Sequence, residues 1–155
     1  MKKRLFLITA IGLLAIILTG ILFFRDPHNY REIEDVPEPY VTCLKAYLSA
    51  MEHNPKDAFQ YAYFPNDFYA EAFLNSNITF LEYQIKDHQR INDSLYEFTC
   101  TVKDSVRKDH SVEVYYFVGK IMDKYVFIGN AKFVPDEISM NLDIAQFSYT
   151  GEEYL

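Results

Sequence analysis

ITFLEYQIKDHQRINDSLYEFTCTVKD, Ile78 to Asp104, is where the hydrophobic period of this chain changes. Before it, apolar residues recur at three- and four-residue intervals; within it they alternate, the spacing of strands with one buried face. Leu81, Tyr83 and Ile85 share a face of a strand expected near residues 78–87. Tyr96, Phe98, Cys100 and Val102 share a face of the next, and Ile91-Asn92-Asp93-Ser94 supplies the turn between them.

Downstream, HSVEVYYFVGKI (110–121) and KYVFIGNAKFV (124–134) are apolar on both faces, as suits central strands, and Met122-Asp123 makes a tight turn between them. Glu137 to Ile144 alternates strictly and reads as a half-buried fifth strand.

Upstream the spacing is helical. Tyr40, Leu44, Tyr47, Leu48 and Met51 form one stripe from Pro39 onward, with Cys43 at its edge. His53-Asn54-Pro55-Lys56-Asp57 is a second start signal, with Asn54 placed to cap and Pro55 at the first helical position, for a helix to about Phe64. Pro65 stops it, and Asn66 or Asp67 caps a third helix that runs to the Asn75-Ser76-Asn77 break. The stretch FQYAYFPNDFYAEAF (59–73) carries seven rings across these two helices. Their spacing predicts a lid packed on the sheet, with the Tyr61 and Tyr63 hydroxyls closest to any cavity beneath it.

Helices followed by an antiparallel meander give the α+β class: about three helices on a curved antiparallel sheet of four to five strands. The expected organisation is a signal anchor or transmembrane helix at 1–25, a stalk at 26–39, an α+β cone domain at 40–145 and an acidic tail at 146–155. The chain of 155 residues has room for one such core, and 13 Phe and 13 Tyr can fill it.

Lys2, Lys3 and Arg4 precede twenty uncharged, mostly apolar residues, Leu5 to Phe24, closed by Arg25. That length spans roughly 30 Å as a helix, enough to cross a bilayer. It exceeds the apolar core of a cleaved signal peptide and ends in bulky residues, so an uncleaved anchor is expected, with the cationic start cytoplasmic and the rest outside. The bilayer, met through residues 5–24, is thus the first expected partner. Asp26 to Tyr40, with three prolines and five acidic residues, reads as the stalk. Beyond residue 25 there are 11 Lys and Arg against 22 Asp and Glu, which argues against nucleic acid as a partner.

Cys43 and Cys100 are the only cysteines. In an oxidising compartment they could form one bridge, closing a loop worth on the order of 4 kcal/mol; otherwise they are two small buried side chains.

His28, His53, His88 and His110 lack ligand spacing and read as surface or turn residues, so no metal is expected, and no cofactor either. The five glycines are scattered singly, without a phosphate loop or a nucleophile elbow; Gly119 and Gly129 read as bulge or close-packing positions within strands. Asn77-Ile78-Thr79 and Asn92-Asp93-Ser94 match the glycosylation sequon but are equally turn residues. Glu82 and Glu97 lie opposite the apolar rows of their strands, whereas Glu113 shares a face with Tyr115 and Phe117 and is the candidate acid for proton transfer. Tyr47, Tyr61, Tyr83, Phe98 and Tyr116 are the candidate lining of a cone for a small apolar ligand.

Three helices, a hairpin-linked sheet and GKIMDKYVFIGNAKFV (119–134) together resemble the nuclear transport factor two-like (cystatin-like, SnoaL-like) α+β cone superfamily, and small exported bacterial members in particular. Tyr125 stands where those sequences place Trp. The placement behind one membrane helix also resembles the outer domains of conjugation and secretion bridge proteins. The superfamily includes enzymes, ligand binders and membrane-anchored assembly factors and does not choose among them, while the bridge proteins imply a membrane-complex partner. The absence of a catalytic constellation gives a non-catalytic binding or assembly domain, with such a partner or a second copy of itself, as the expected role; a small apolar ligand-binding cone or an isomerase- or dehydratase-like enzyme is the alternative.

Overall fold

A computed structural model describes residues 26–147. The architecture is α+β, with helices on a four-stranded antiparallel sheet of order β1-β2-β3-β4. The strands are β1 (Phe80–Asn92), β2 (Leu95–Asp104), β3 (Val112–Ile121) and β4 (Lys124–Ile128), and the α-helices are α1 (Glu38–His53) and α2 (Asp67–Asn75). Among the described residues no helix is long and apolar enough to cross a membrane; the run at 5–24 lies outside them.

α1 lies on one face of the sheet along its expected stripe. Tyr40, Leu44, Tyr47, Leu48 and Met51 are buried with Cys43, against Tyr83, Ile85, Phe98, Cys100, Val102, Val114, Val118 and Phe127. The alternation of β2 holds throughout. That of β1 does not, because a bulge between Phe80 and Glu82 turns Leu81 outward, 49 % exposed, and puts Phe80 in the core instead. Met122 and Asp123 have φ of 47° and 64°, the two left-handed residues of a two-residue hairpin turn.

The second face is covered by the C-terminal segment. Ala131, Val134, Ile138 and Phe147 bury Leu95, Phe117 and Ile128. Gly119 permits this: a Cβ there would lie 2.6 Å from Ile138 Cδ1 and 3.1 Å from Ile128 Cδ1. Gly129, by contrast, faces no close neighbour.

Four expectations are corrected. The fifth strand is absent from the described residues; 136–138 and 144–147 are single 3-10 turns, and Asn141 is left-handed. The Asn92 side-chain amide donates to the Ile138 and Met140 carbonyls at 3.0 and 2.7 Å, holding this segment by side chain where a ladder would have used backbone. The second helix is a 3-10 helix, Pro55–Tyr61, and Asn54 bonds the Asp57 carboxylate at 2.8 Å in place of capping it.

The stalk is likewise folded. Ile33 and Val36 are buried, the Ile85 amide donates to the His28 carbonyl at 3.0 Å, and Asn29 donates to the Ile85 carbonyl at 2.9 Å, so residues 28–36 extend the structure along β1. Finally, the rings of 59–73 stack mainly on one another. Phe59, Phe64 and Phe73 have centroids 5.2 to 6.3 Å apart, and α2, capped by Asn66 as expected, buries none of its residues. Of the expected acidic tail, Phe147 is buried and 148–155 lie outside the described residues.

Candidate functional site

An open groove of about 500 Å³ runs between α1 and β4. The first turns of α1 contribute Glu38, Pro39, Thr42, Cys43 and Ala46; the end of the 3-10 helix contributes Gln60 and Tyr61; β4 contributes Lys124, Tyr125 and Val126. The helical period sets the first group, since 38, 42 and 46 flank the buried stripe on the side facing β4.

The β4 wall is a sheet edge. In an antiparallel pair, residues alternate between exchanging hydrogen bonds with the partner strand and pointing both backbone groups away. The two-residue turn makes Ile121 and Lys124 the closing pair, so Tyr125 and Phe127 turn their backbone groups outward. Phe127 is met there by the chain itself: Ala62 bridges to it in parallel, and the Tyr63 amide donates to its carbonyl at 2.8 Å. Upstream of Ala62 the chain winds into the 3-10 helix and leaves β4, so the outward N–H and C=O of Tyr125 meet no described strand. An unpaired edge of this kind is a template for one more strand.

The groove is held in shape by aromatic contacts. The Tyr125 ring meets Tyr40 edge-on at 4.8 Å, Tyr40 lies 4.7 Å from Tyr96, and the Tyr40 hydroxyl donates to the Asp93 carbonyl at 2.9 Å. The Cys43 thiol points at the Tyr61 carbonyl at 4.0 Å, and burial pushes it up to about 11. It is therefore a protonated, unreactive wall. Glu38 and Lys124 put one charge of each sign at the mouth.

Of the residues expected to line a cone, Tyr61 alone reaches this groove. Tyr47 stacks on Phe127 at 3.4 Å, Tyr116 meets the same ring at 4.9 Å, and Phe98 is fully buried beneath α1. Their side chains fill the space between helix and sheet. Tyr83 lies at the opposite edge, its hydroxyl 2.7 Å from that of Tyr30 and its ring stacked on His28 at 3.9 Å, which makes His28 a packing residue and not a loop ornament. Burial raises the Tyr83 hydroxyl far above the usual phenol range. Tyr63 packs on the second face, with the C-terminal segment.

The two cysteines are free. Cys43 faces the groove while Cys100 sits in β2 between Ile85 and Val114, where burial pushes its thiol up to about 12. Glu113 is exposed, accepting the Tyr115 hydroxyl at 3.2 Å. The buried acid is its neighbour on the same face, Glu97, 3 % exposed and bonded by the Thr99 hydroxyl at 2.9 Å; desolvation, with Asp87 and Glu113 nearby, lifts it to about 7. Alternation placed Glu97 correctly opposite the core row. What it missed was the second layer that covers that face.

No family model matches the chain, and no curated protein matches its sequence.

Proposed function

We propose that this protein is a non-catalytic binding domain, tethered outside the cell membrane by residues 5–24, which takes an extended segment of a partner protein as an added strand on β4. The observation that carries this reading is the Tyr125 edge, left open where residues 55–61 wind away and framed by α1 into a groove. Main-chain hydrogen bonds to such an edge supply affinity, and the adjoining pocket reads alternate side chains. Thr42, Ala46 and Tyr61 offer a shallow and mostly apolar wall, while Glu38 and Lys124 favour a segment with charges of both signs. The element order supports the likeness to the α+β cone superfamily, whose membrane-anchored assembly factors suit the same role.

The test is selection of short displayed peptides on the full chain in lipid nanodiscs. Thr42 is exposed on α1, so Thr42→Trp should fill the groove with little change in melting temperature and weaken every selected peptide at least about tenfold, roughly 1.4 kcal/mol. Peptides that bind this variant as tightly as the parent would show that the groove is not the site.

A further inference from the structure

The exposed apolar side chains are unevenly placed. One end of the sheet is formed by the start of β1, the end of β2 and the start of β3, since Phe80 pairs with Asp104 and Val102 with Val112. Leu81 lies there, and the loop that follows β2 carries Val106, 70 % exposed. α2 leads into this same end through Ser76–Thr79, whose last carbonyl accepts the Ser105 amide at 2.9 Å. On it Phe68 is 74 % exposed, with Tyr69 and Leu74 also exposed. One side of this nine-residue helix is met, Phe73 stacking on Phe59 and Phe64 and Tyr69 lying 4.6 Å from Phe133, but none of its residues is buried and the exposure of Phe68 and Leu74 leaves an apolar side open to a further partner.

The position of the chain entry says what that partner is. His28 bonds to β1 through both its carbonyl and its ring, at Ile85 and Tyr83, so the folded structure begins at the half of β1 nearest this end. Because residues 28–36 are laid along the sheet, no spacer remains between the domain and Arg25, which closes the apolar run. A domain joined so closely to a membrane helix rests on the bilayer, with the surface near the join facing it. Apolar and aromatic residues are those that enter the headgroup boundary, to a depth of about 5–10 Å. On α2 and the 105–111 loop Arg107 and Lys108 stand against Asp67, Glu71 and Asp109, a net of minus one, so the patch itself is close to neutral, and the strongly acidic remainder disfavours anionic lipid.

We infer that α2, Leu81 and the 105–111 loop form a docking face that seats the domain directly on a zwitterionic lipid surface. This rests on the anchor in the proposed function but not on the groove. It leaves the domain lying on the membrane with α2 in the lipid boundary.

The protein has no Trp, so a single introduced indole reports its own surroundings. Phe68→Trp and, at the far hairpin turn, Met122→Trp are made in the full chain and reconstituted in phosphatidylcholine vesicles with or without brominated acyl chains. The Phe68→Trp emission should shift to the blue and fall about twofold with brominated lipid, while Met122→Trp stays unshifted and unquenched. Retention in carbonate-washed vesicles with no quenching at position 68 overturns the docking face and leaves the anchor standing. Equal quenching at both positions, or a blue shift that needs high protein density and no bromine effect, as a second copy would give, also overturns it. Release by carbonate removes the anchor and the docking face together.

Discussion

At Gly119 the sheet has no room for a methyl group, because Ile138 occupies the space from the second face. Gly119→Ala should therefore destabilise by about 1–3 kcal/mol in urea unfolding, and Ile138→Val in the same chain should return part of it. Equal stability of parent and Gly119→Ala would mean that the C-terminal segment is not seated there. Glu97 gives the complementary, electrostatic prediction. Its carboxyl binds its proton more tightly in the folded protein than in the unfolded chain, so its contribution is fully present below about pH 4.3 and is lost as pH rises through about 7. Asp87 and Glu113 sharpen the effect by repelling the ionised form. Unfolding free energy should fall by about 2–3 kcal/mol over that window, and Glu97→Gln should flatten the fall, a slope unchanged by the substitution being the contrary result. Both residues carried a partial signal. Gly119 read as close packing and Glu97 as lying off the core row, but neither local pattern could say that residues 131–147 return to cover that face of the sheet.

Among the elements, the segment before α1 shows how composition misleads. Three prolines and five acidic residues between 26 and 40 describe a solvated spacer, yet buried Ile33 and Val36, at a three-residue interval, together with the His28 and Asn29 hydrogen bonds to β1, fasten it to the sheet. Ile33→Ala should cost about 2–4 kcal/mol of stability, measured by thermal or urea unfolding, where a true spacer residue would cost almost nothing. α1 and β2 were legible because a single period runs through each, whereas a bulge breaks the period of β1, and of 124–134, read as a central strand, only Lys124–Ile128 is strand and it lies at the sheet edge. The expected fifth strand had the right alternation, but Asn92 takes two of its carbonyls, and alternation cannot report that competition. Of the aromatic run 59–73 the helical reading holds for 67–73, while 59–61 end a 3-10 helix and 62–66 are not helical; Tyr61, Tyr63 and Phe73 pack on the core as a lid would, but Phe59, Phe64 and Phe73 also stack on one another. Helical spacing fixes which rings share a face, whereas the covering surface depends on what that face meets.

For the whole molecule, the filled interior leaves the rim, where the proposed groove lies. Of the rings expected to line a cone, Tyr47 and Tyr116 pack on Phe127, Phe98 lies buried beneath α1 and Tyr83 stacks on His28, and the groove at β4 arises from a feature no linear pattern announces: the point at which residues 55–61 leave the sheet edge. Tyr61 pointed to it and Tyr125, seen only as a substitute for Trp in the final hairpin, did not. On the proposed function, a partner protein lies in this groove as an extended strand. This is tested most directly by placing a photo-crosslinking amino acid at position 42 of the full chain, irradiating native membranes and sequencing the crosslinked peptides, with the same group at position 108 as control. One recurring extended segment from a single protein, captured from position 42 and not from 108, is the predicted result. Lipid adducts or no product from position 42, or the same proteins from both positions, would contradict it, whereas lipid adducts from position 108 are expected of the docking face.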